Sequence, residues 1–295
     1  MGHLVVAGVD GSLASIAAAD WAAREAVRRG VPLRLLHAGP VLGPGAAPDA
    51  ADFLHGVGER LLHRVAGELA ERHPDAEVES GQIDGPAVDM LPVAARDAGL
   101  LVVGTRGVGG FDGLAVGSVA LASAAAAPCP VVLVPARWAD GYEERSAAAR
   151  GADRVVLGFD AHAPAPDAAG FAFAAAQARG VGLWVVGAWA LPPESVSGRT
   201  LFVTEADRAT WEDQENTDLS DALRPWRAGY PTVPVHTDVV LLHPAQALLN
   251  ASRHGTLLVM GAGNGPGAGV AGLGPVTHAV LQHSRRPVAV VPRAD

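Results

Sequence analysis

Three apolar runs occur twice in this chain, in the same order. Arg154-Val-Val-Leu-Gly-Phe-Asp160 repeats Leu4-Val-Val-Ala-Gly-Val-Asp10 at an offset of 150 positions. Leu257-Leu-Val-Met-Gly261 repeats Leu100-Leu-Val-Val-Gly104, and Arg286-Pro-Val-Ala-Val-Val-Pro292 repeats Cys129-Pro-Val-Val-Leu-Val-Pro135, both at an offset of 157. Three ordered matches with one small length change mark a duplicated domain, not a short solenoid repeat. The length of 295 residues suits two domains of ordinary size.

Within the first copy the pattern alternates. Leu4–Val9 is a continuous apolar run, as expected of a strand buried on both faces of a parallel sheet. Asp10-Gly-Ser12 opens a helical pattern that ends at Gly30, and Pro32–His37 is a second strand. A Pro- and Gly-rich loop, Gly39–Asp49, leads to an amphipathic helix over Phe53–Arg72. Glu77–Gln82 reads as a strand nearer an edge, and Pro86 starts a helix to Asp97 with Pro92 inside it. Leu100–Val103 is a strand, Val119–Ala127 a helix and Val131–Val134 the last strand. Five strands alternating with four helices predict a doubly wound α/β layer with right-handed crossovers. The predicted boundaries are 1–136 for the first domain, 137–153 for a polar linker and 154–295 for the second domain. In the second copy the acidic stretch Glu205–Asp221 is expected to form a solvated helix face, with Trp211 and Trp226 packing inward.

The stretch Gly104–Ser118 joins the fourth strand to the helix after it. Its glycines let backbone N–H groups approach a phosphate, and the helix start adds donors and partial positive charge. Ser118 falls at an N-cap or first-turn position. On this stretch alone, a floppy surface loop remains the competing reading. Ligands in such sheets bind beyond the carboxyl ends of the strands, where strand order reverses. If the first and fourth strands are neighbours there, the Asp10 turn and the Gly104 loop face one crevice.

Composition excludes several classes. All 22 basic residues are Arg, so neither a Walker A lysine nor Schiff-base chemistry on lysine is available. A net charge of −9 argues against a broad nucleic-acid or anionic-membrane surface. The single Cys129 forbids an intrachain disulfide, which suits a reducing cytosol. The N-terminus lacks a secretory pattern, and the uncharged run Gly113–Ala136 is cut by prolines, so a cytoplasmic protein without a membrane span is expected. Four residue readings stay structural. Asp10 reads as the N-cap of the first helix, a role compatible with a ligand contact, His37 as a hydrogen-bonded core histidine, Cys129 as buried and inert, and His278 and His283 as ordinary helix residues. Ser12 and Ser118 lack a nucleophile elbow, and Gly267-x-Gly269-x-x-Gly272 is a chance fingerprint.

Gly104-Thr-Arg-Gly107, nine residues, then Gly117-Ser118 matches the G-x2-G-x9-G-S/T signature of the ATP-binding universal stress proteins. Gly8-Val-Asp-Gly-Ser12 and Pro128-Cys-Pro-Val-Val-Leu-Val134 look like that family's first and last strands, and the whole chain resembles its tandem two-domain members. The resemblance implies two doubly wound five-stranded parallel-sheet domains, each of strand order 3-2-1-4-5 and adenine nucleotide alpha hydrolase-like. It also implies ATP, with Mg²⁺, at the switch point. By position, Val9 and Asp10 belong to the ATP-binding set, with Asp10 at the nucleoside or metal-phosphate end. Ala38 presents its backbone to the adenine edge, and Gly104 lies near the ribose. Gly107, Gly117, Ser118 and Val119 contact phosphates. The resemblance further implies domain pairing through last strands, within or between chains, hence a homodimer, and a protein partner whose identity stays open.

The second copy keeps Asp160, Gly261 and Gly274 but has Asn264 for the second Gly and Pro275 for the Ser. Pro275 has neither hydroxyl nor backbone N–H, so two donors are lost and one strong nucleotide site per chain is expected. The functional expectation is a nucleotide-dependent stress-response or signalling module without catalytic residues. The alternative is a slow ATPase or nucleotidyl-transfer enzyme of related fold.

Overall fold

A computed structural model describes residues 4–39, 48–108, 115–138, 154–189, 204–263 and 272–293. The first half runs β1 (Val5–Gly8), α1 (Leu13–Arg29), β2 (Leu33–Gly39), α2 (Pro48–Arg72), β3 (Val78–Asp84), α3 (Ala87–Ala94), β4 (Leu100–Gly104), α4 (Ser118–Ala126) and β5 (Val131–Val134). A 3-10 turn at Ala136–Trp138 follows. The second half runs β6 (Arg154–Gly158), α5 (Pro166–Arg179), β7 (Gly182–Ala188), α6 (Glu205–Ala222), α7 (Arg224–Gly229), β8 (Val235–Val240), α8 (Pro244–Ser252), β9 (Leu257–Gly261), α9 (Pro275–His283) and β10 (Val288–Val291).

The strands form one sheet in the order β3-β2-β1-β4-β5-β10-β9-β6-β7-β8. Each half has the expected order 3-2-1-4-5. The two five-stranded sheets are not separate, however: β5 and β10 pair antiparallel, Val132 opposite Ala289, and fuse them into a ten-stranded sheet. Val132 and Ala289 are 157 positions apart, so each sits opposite its own repeat and marks a pseudo-twofold axis. The last strands are thus consumed within the chain, and a homodimer would have to use another face.

Strands β1, β5 and β10 are buried along their whole length, because helices cover both faces of the sheet. Helix α1 turns a run of small side chains inward, with Ala14, Ala17, Ala18, Ala22 and Ala26 all buried. Such a face lets the helix axis approach the sheet closely. Gly30, at φ 63°, closes α1 in the left-handed conformation that glycine adopts without cost. Asp20, buried on α1, is bonded by His73 at 2.8 Å and Arg72 at 2.6 Å from the end of α2, and also by Arg24. That network anchors the long second helix.

Several element boundaries differ from the sequence reading. Helix α2 begins at Pro48, inside the expected loop, and α3 stops at Ala94, two residues after Pro92, instead of reaching Asp97. The acidic helix α6 opens with a Thr204–Asp207 capping box, and Trp211 and Trp226 pack partly buried against the core, as expected. Most of the expected linker, residues 139–153, lies outside the described residues. No helix among the described residues is long and apolar enough to cross a membrane. Over its described part, the uncharged run ending at Ala136 becomes α4 and β5.

Candidate functional site

The strand order reverses between β1 and β4, and a cavity of about 440 Å³ lies beyond their carboxyl ends. All eight residues singled out from the sequence line it. Val9 and Asp10 come from the turn after β1 and Ala38 from the end of β2. Gly104 and Gly107 come from the turn after β4, and Gly117, Ser118 and Val119 from the start of α4. The size falls within the range of small-molecule sites, roughly 300–1,000 Å³.

Helices α1 and α4 both point their N-termini at this cavity, but differ in chemistry. The N-cap of α1 is Ser12, not Asp10. Ser12 Oγ accepts from the Ser15 N–H at 3.1 Å and donates to the Arg106 carbonyl at 3.1 Å. Ser15 Oγ in turn accepts from the Asp10 N–H at 3.2 Å. That helix start is already satisfied. The N-cap of α4 is Gly117, which makes no side-chain cap bond; its N–H donates to the Thr105 carbonyl at 2.8 Å. The first-turn N–H groups of Ser118, Val119 and Ala120 therefore receive no cap acceptor among the described residues. A helix end of that kind is an anion site in waiting.

Asp10 holds the crevice together. Its Oδ1 accepts from the Ser12 N–H and its Oδ2 from the Val108 N–H, both at 2.9 Å. Partial burial pushes its carboxyl up, but the bonds from Ser12, Ser15 and Val108 outweigh burial and hold it below the usual carboxylate range. Replacing Asp10 with alanine should therefore release the loop after β4. Hydrogen exchange at the Val108 amide should accelerate at least tenfold, and unchanged protection would contradict the clamp.

The glycines also answer packing demands within the fold. A Cβ on Gly104 would stand 2.6 Å from the Ala14 carbonyl carbon, and one on Gly107 would stand 2.5 Å from Asp10 Oδ2. At both positions the missing side chain makes room for α1 and Asp10. Only Gly117 is open among the three, its nearest neighbour being the Thr105 oxygen at 3.8 Å. Residues that the sequence reading passed over also line the site. Leu91 of α3 forms an apolar wall, and Gly8 is small because a Cβ there would meet Leu91 Cδ1 at 2.9 Å. His37, expected to be a core histidine, is half-buried in the wall, its Nδ1 2.7 Å from the Val9 carbonyl. Ser15 carried a weak signal, the Ser-x-x-Ser spacing of a cap; Leu91 carried none. Arg106 lines the cavity as well. Cys129 is buried away from this site, which raises its thiol to about 11.

The repeat of the glycine loop in the second half is partly visible. Gly261, Gly274 and Pro275 line a separate cavity of about 310 Å³, and Pro275 is the first residue of α9. Gly274 packs against Gly263, whose oxygen lies 2.7 Å from where a Cβ would be. Asn264 lies outside the described residues, as do Gly267 and Gly269. His278 and His283 are ordinary residues of α9, the latter bonded through Nδ1 to the Ala279 carbonyl.

Tandem doubly wound halves with a crevice at the switch point define a class: duplicated parallel-sheet α/β proteins. Comparisons with known proteins narrow it. The profile of the universal stress protein family matches residues 1–135 and 151–292. The universal stress protein Rv1996 of Mycobacterium tuberculosis is 30% identical, covering 97% of this chain and 94% of its own. Rv2005c of the same organism is 30% identical over 98% and 96%. A crystal structure of a universal stress protein from Archaeoglobus fulgidus covers both chains fully, with a TM-score of 0.69 and 18% identity. This chain belongs to the universal stress protein family.

Proposed function

We propose that the first-domain crevice binds an adenine nucleotide, ATP with Mg²⁺, and that occupancy biases the conformation or partner surface of a stress-response module. The observation that carries this reading is the uncapped start of α4, with three first-turn N–H groups and the Ser118 hydroxyl beside the cavity. A triphosphate supplies the acceptors those donors lack. Asp10 is the carboxylate in the wall, and among the described residues no group of three metal-ligating side chains occurs. A Mg²⁺ ion would therefore be held chiefly by phosphate oxygens, as is usual for that ion. A binding role is favoured over turnover because the carboxylate of the wall, Asp10, is engaged with two backbone N–H groups.

Isothermal titration with ATP and Mg²⁺ tests the reading. One equivalent per chain is expected, with steady hydrolysis below about one per second, the low end for ordinary enzymes. Ser118→Ala should weaken binding by roughly ten- to 150-fold, the loss of one hydrogen bond to a charged group. Absence of binding, two equivalent sites or faster turnover would count against it.

A further inference from the structure

The second half of the sheet gathers positive charge on one rim. Strands β10, β9, β6, β7 and β8 are neighbours in that order and run parallel, so their amino ends line up. Arg285 and Arg286 precede β10, Arg253 and His254 precede β9, Arg154 opens β6 and His236 is second in β8. The segments that build the rim, residues 154–156, 182–184, 235–237, 253–257 and 284–288, contain no Asp or Glu, in a chain of net charge −9. Because β5 and β10 pair antiparallel, this rim lies on the edge of the sheet that carries the carboxyl ends of the first-half strands. It begins at Trp138, in the turn after β5, where the Arg286 guanidinium carbon stands 5.8 Å from the ring centre.

Contacts hold the cations in line. Arg286 donates to the Arg253 carbonyl at 3.1 Å, which joins the loops before β10 and β9. The Thr256 N–H donates to the Arg154 carbonyl at 2.9 Å, which ties the start of β9 to β6. Trp184 of β7, partly buried, is the hub of the far end. The Arg154 guanidinium carbon lies 5.3 Å from its ring centre, and the rings of His236 and His254 lie 6.3 and 6.4 Å from it. Asp238 follows two residues beyond His236 on β8. Arginines elsewhere answer carboxylates, as Arg34 does Glu79 and Arg72 does Asp20. Arg154, Arg253 and Arg285 meet none among the described residues. Arg253, Arg285, His236 and His254 are exposed.

Guanidinium groups without carboxylates, set along one line, attract an anion from solution. Neighbouring strands stand about 4.8 Å apart, so the line from β10 to β8 covers about 19 Å. Its shape selects among polyanions. It is one row wide, whereas a membrane or a nucleic-acid duplex needs a broad basic face, which the net charge of −9 opposes. A single nucleic-acid strand needs open aromatic faces for its bases, and the ring on this rim, Trp184, is covered by Arg154. An extended acidic peptide repeats its same-side carboxylates only every ~6.7 Å, wider than the spacing of the strands. A phosphate chain carries charge on every unit and has no bases to place. We propose that this rim binds a linear inorganic polyphosphate chain, laid across the strand starts from β10 to β8 with Arg285, Arg253 and Arg154 as its principal contacts.

The test is fluorescence anisotropy on the full chain with end-labelled polyphosphate long enough to span the rim. Poly-glutamate and oligothymidylate of equal charge serve as competitors. Polyphosphate should bind more tightly than either, and its affinity should fall by roughly tenfold or more between 50 and 200 mM salt. Arg253→Gln and Arg285→Gln should each weaken it by about threefold, the loss of one exposed charge contact, and together by about tenfold. Arg208→Gln removes the same charge from α6 and should leave affinity within about twofold. Failure of polyphosphate to bind, equal binding of poly-glutamate or oligothymidylate, or affinity untouched by the double substitution would overturn the proposal. These substitutions leave the first-domain crevice intact, so a failure of ATP to bind there would not bear on the result.

Discussion

Replacing Glu25 with alanine should lower the stability of the chain by about 3–5 kcal/mol, the usual cost of leaving a buried charge without its partner. Glu25 lies near the end of α1, 1% exposed, and faces α5 of the other half. Its carboxylate meets Arg179 at 2.6 Å, Arg29 at 2.8 Å and Arg28 at 3.6 Å. Arg29 and Arg179 are pseudo-symmetry mates, each the last residue of its helix before a left-handed glycine. They cross over. Arg29 stacks on Phe171 at 5.2 Å, and Arg179 on Trp21 at 5.6 Å. The single carboxylate between them has Ala175 as its counterpart in the repeat, so one acid bridges both copies of the arginine. Without it, Arg179, whose side chain is 7% exposed, is a buried cation with no anion. Urea unfolding should show the loss, and calorimetry should show the two halves uncoupling into separate transitions. Glu25→Leu combined with Arg179→Met should recover much of it, since a buried pair replaced by apolar groups of similar volume is often neutral.

The same pair sets a pH dependence. Burial raises the Glu25 carboxyl, but Arg179, Arg29 and Arg28 outweigh burial and hold it below its ordinary value of 4.5. A depressed folded value means that the contribution is fully present above 4.5 and is lost as pH falls through the lower folded value. Glu25→Gln should flatten that acid limb. An unchanged limb would place the acid sensitivity elsewhere.

The second large effect separates two glycines that look alike in sequence. Gly104→Ala should destabilise the chain by about 1–3 kcal/mol, the range for forcing an extra methyl into a packed region. Its Cβ would press on the Ala14 carbonyl carbon at 2.6 Å and the Ser15 nitrogen at 2.7 Å, which are backbone atoms with no rotamer to escape into. The displaced start of α1 carries Ser12 and Ser15, which hold Asp10, so nucleotide affinity should fall as well. Gly117→Ala has open space and φ −83°, so its melting temperature should stay within about 2 °C, well under the shift that 1 kcal/mol produces. Its methyl stands beside the helix start, and ATP affinity should drop about tenfold. Equal losses of stability in the two variants would mean that the glycines do not divide the work in this way.

Much of the site was legible because its signals are local. Spacing placed Gly117 and Ser118 at a helix start, and a buried run placed Asp10 at a strand end. The alternation of the two element types then brought both to one crevice. What each residue does there was not legible. Asp10 looked like a helix cap and is a clamp on the Val108 loop, 98 positions away. Gly104 gave no sign in sequence that it also makes room for the start of α1. His37 looked like a core residue and lines the wall. Each role depends on a partner far along the chain, and no period of 2 or 3.6 residues encodes such a partner.

By itself the sequence determined the duplication, the strand–helix alternation, the order of the strands implied by family resemblance, and the place of the glycine loop. These follow from residue periodicity and spacing, which act over a few turns of chain. Only the tertiary structure decided that β5 and β10 join inside one molecule, that Glu25 answers arginines from both halves, and that the basic rim of the second half shares an edge with the first crevice. Those outcomes depend on how two copies of one fold meet across an axis. A charge or ring on one copy acquires its meaning from the surface that the other copy brings to it.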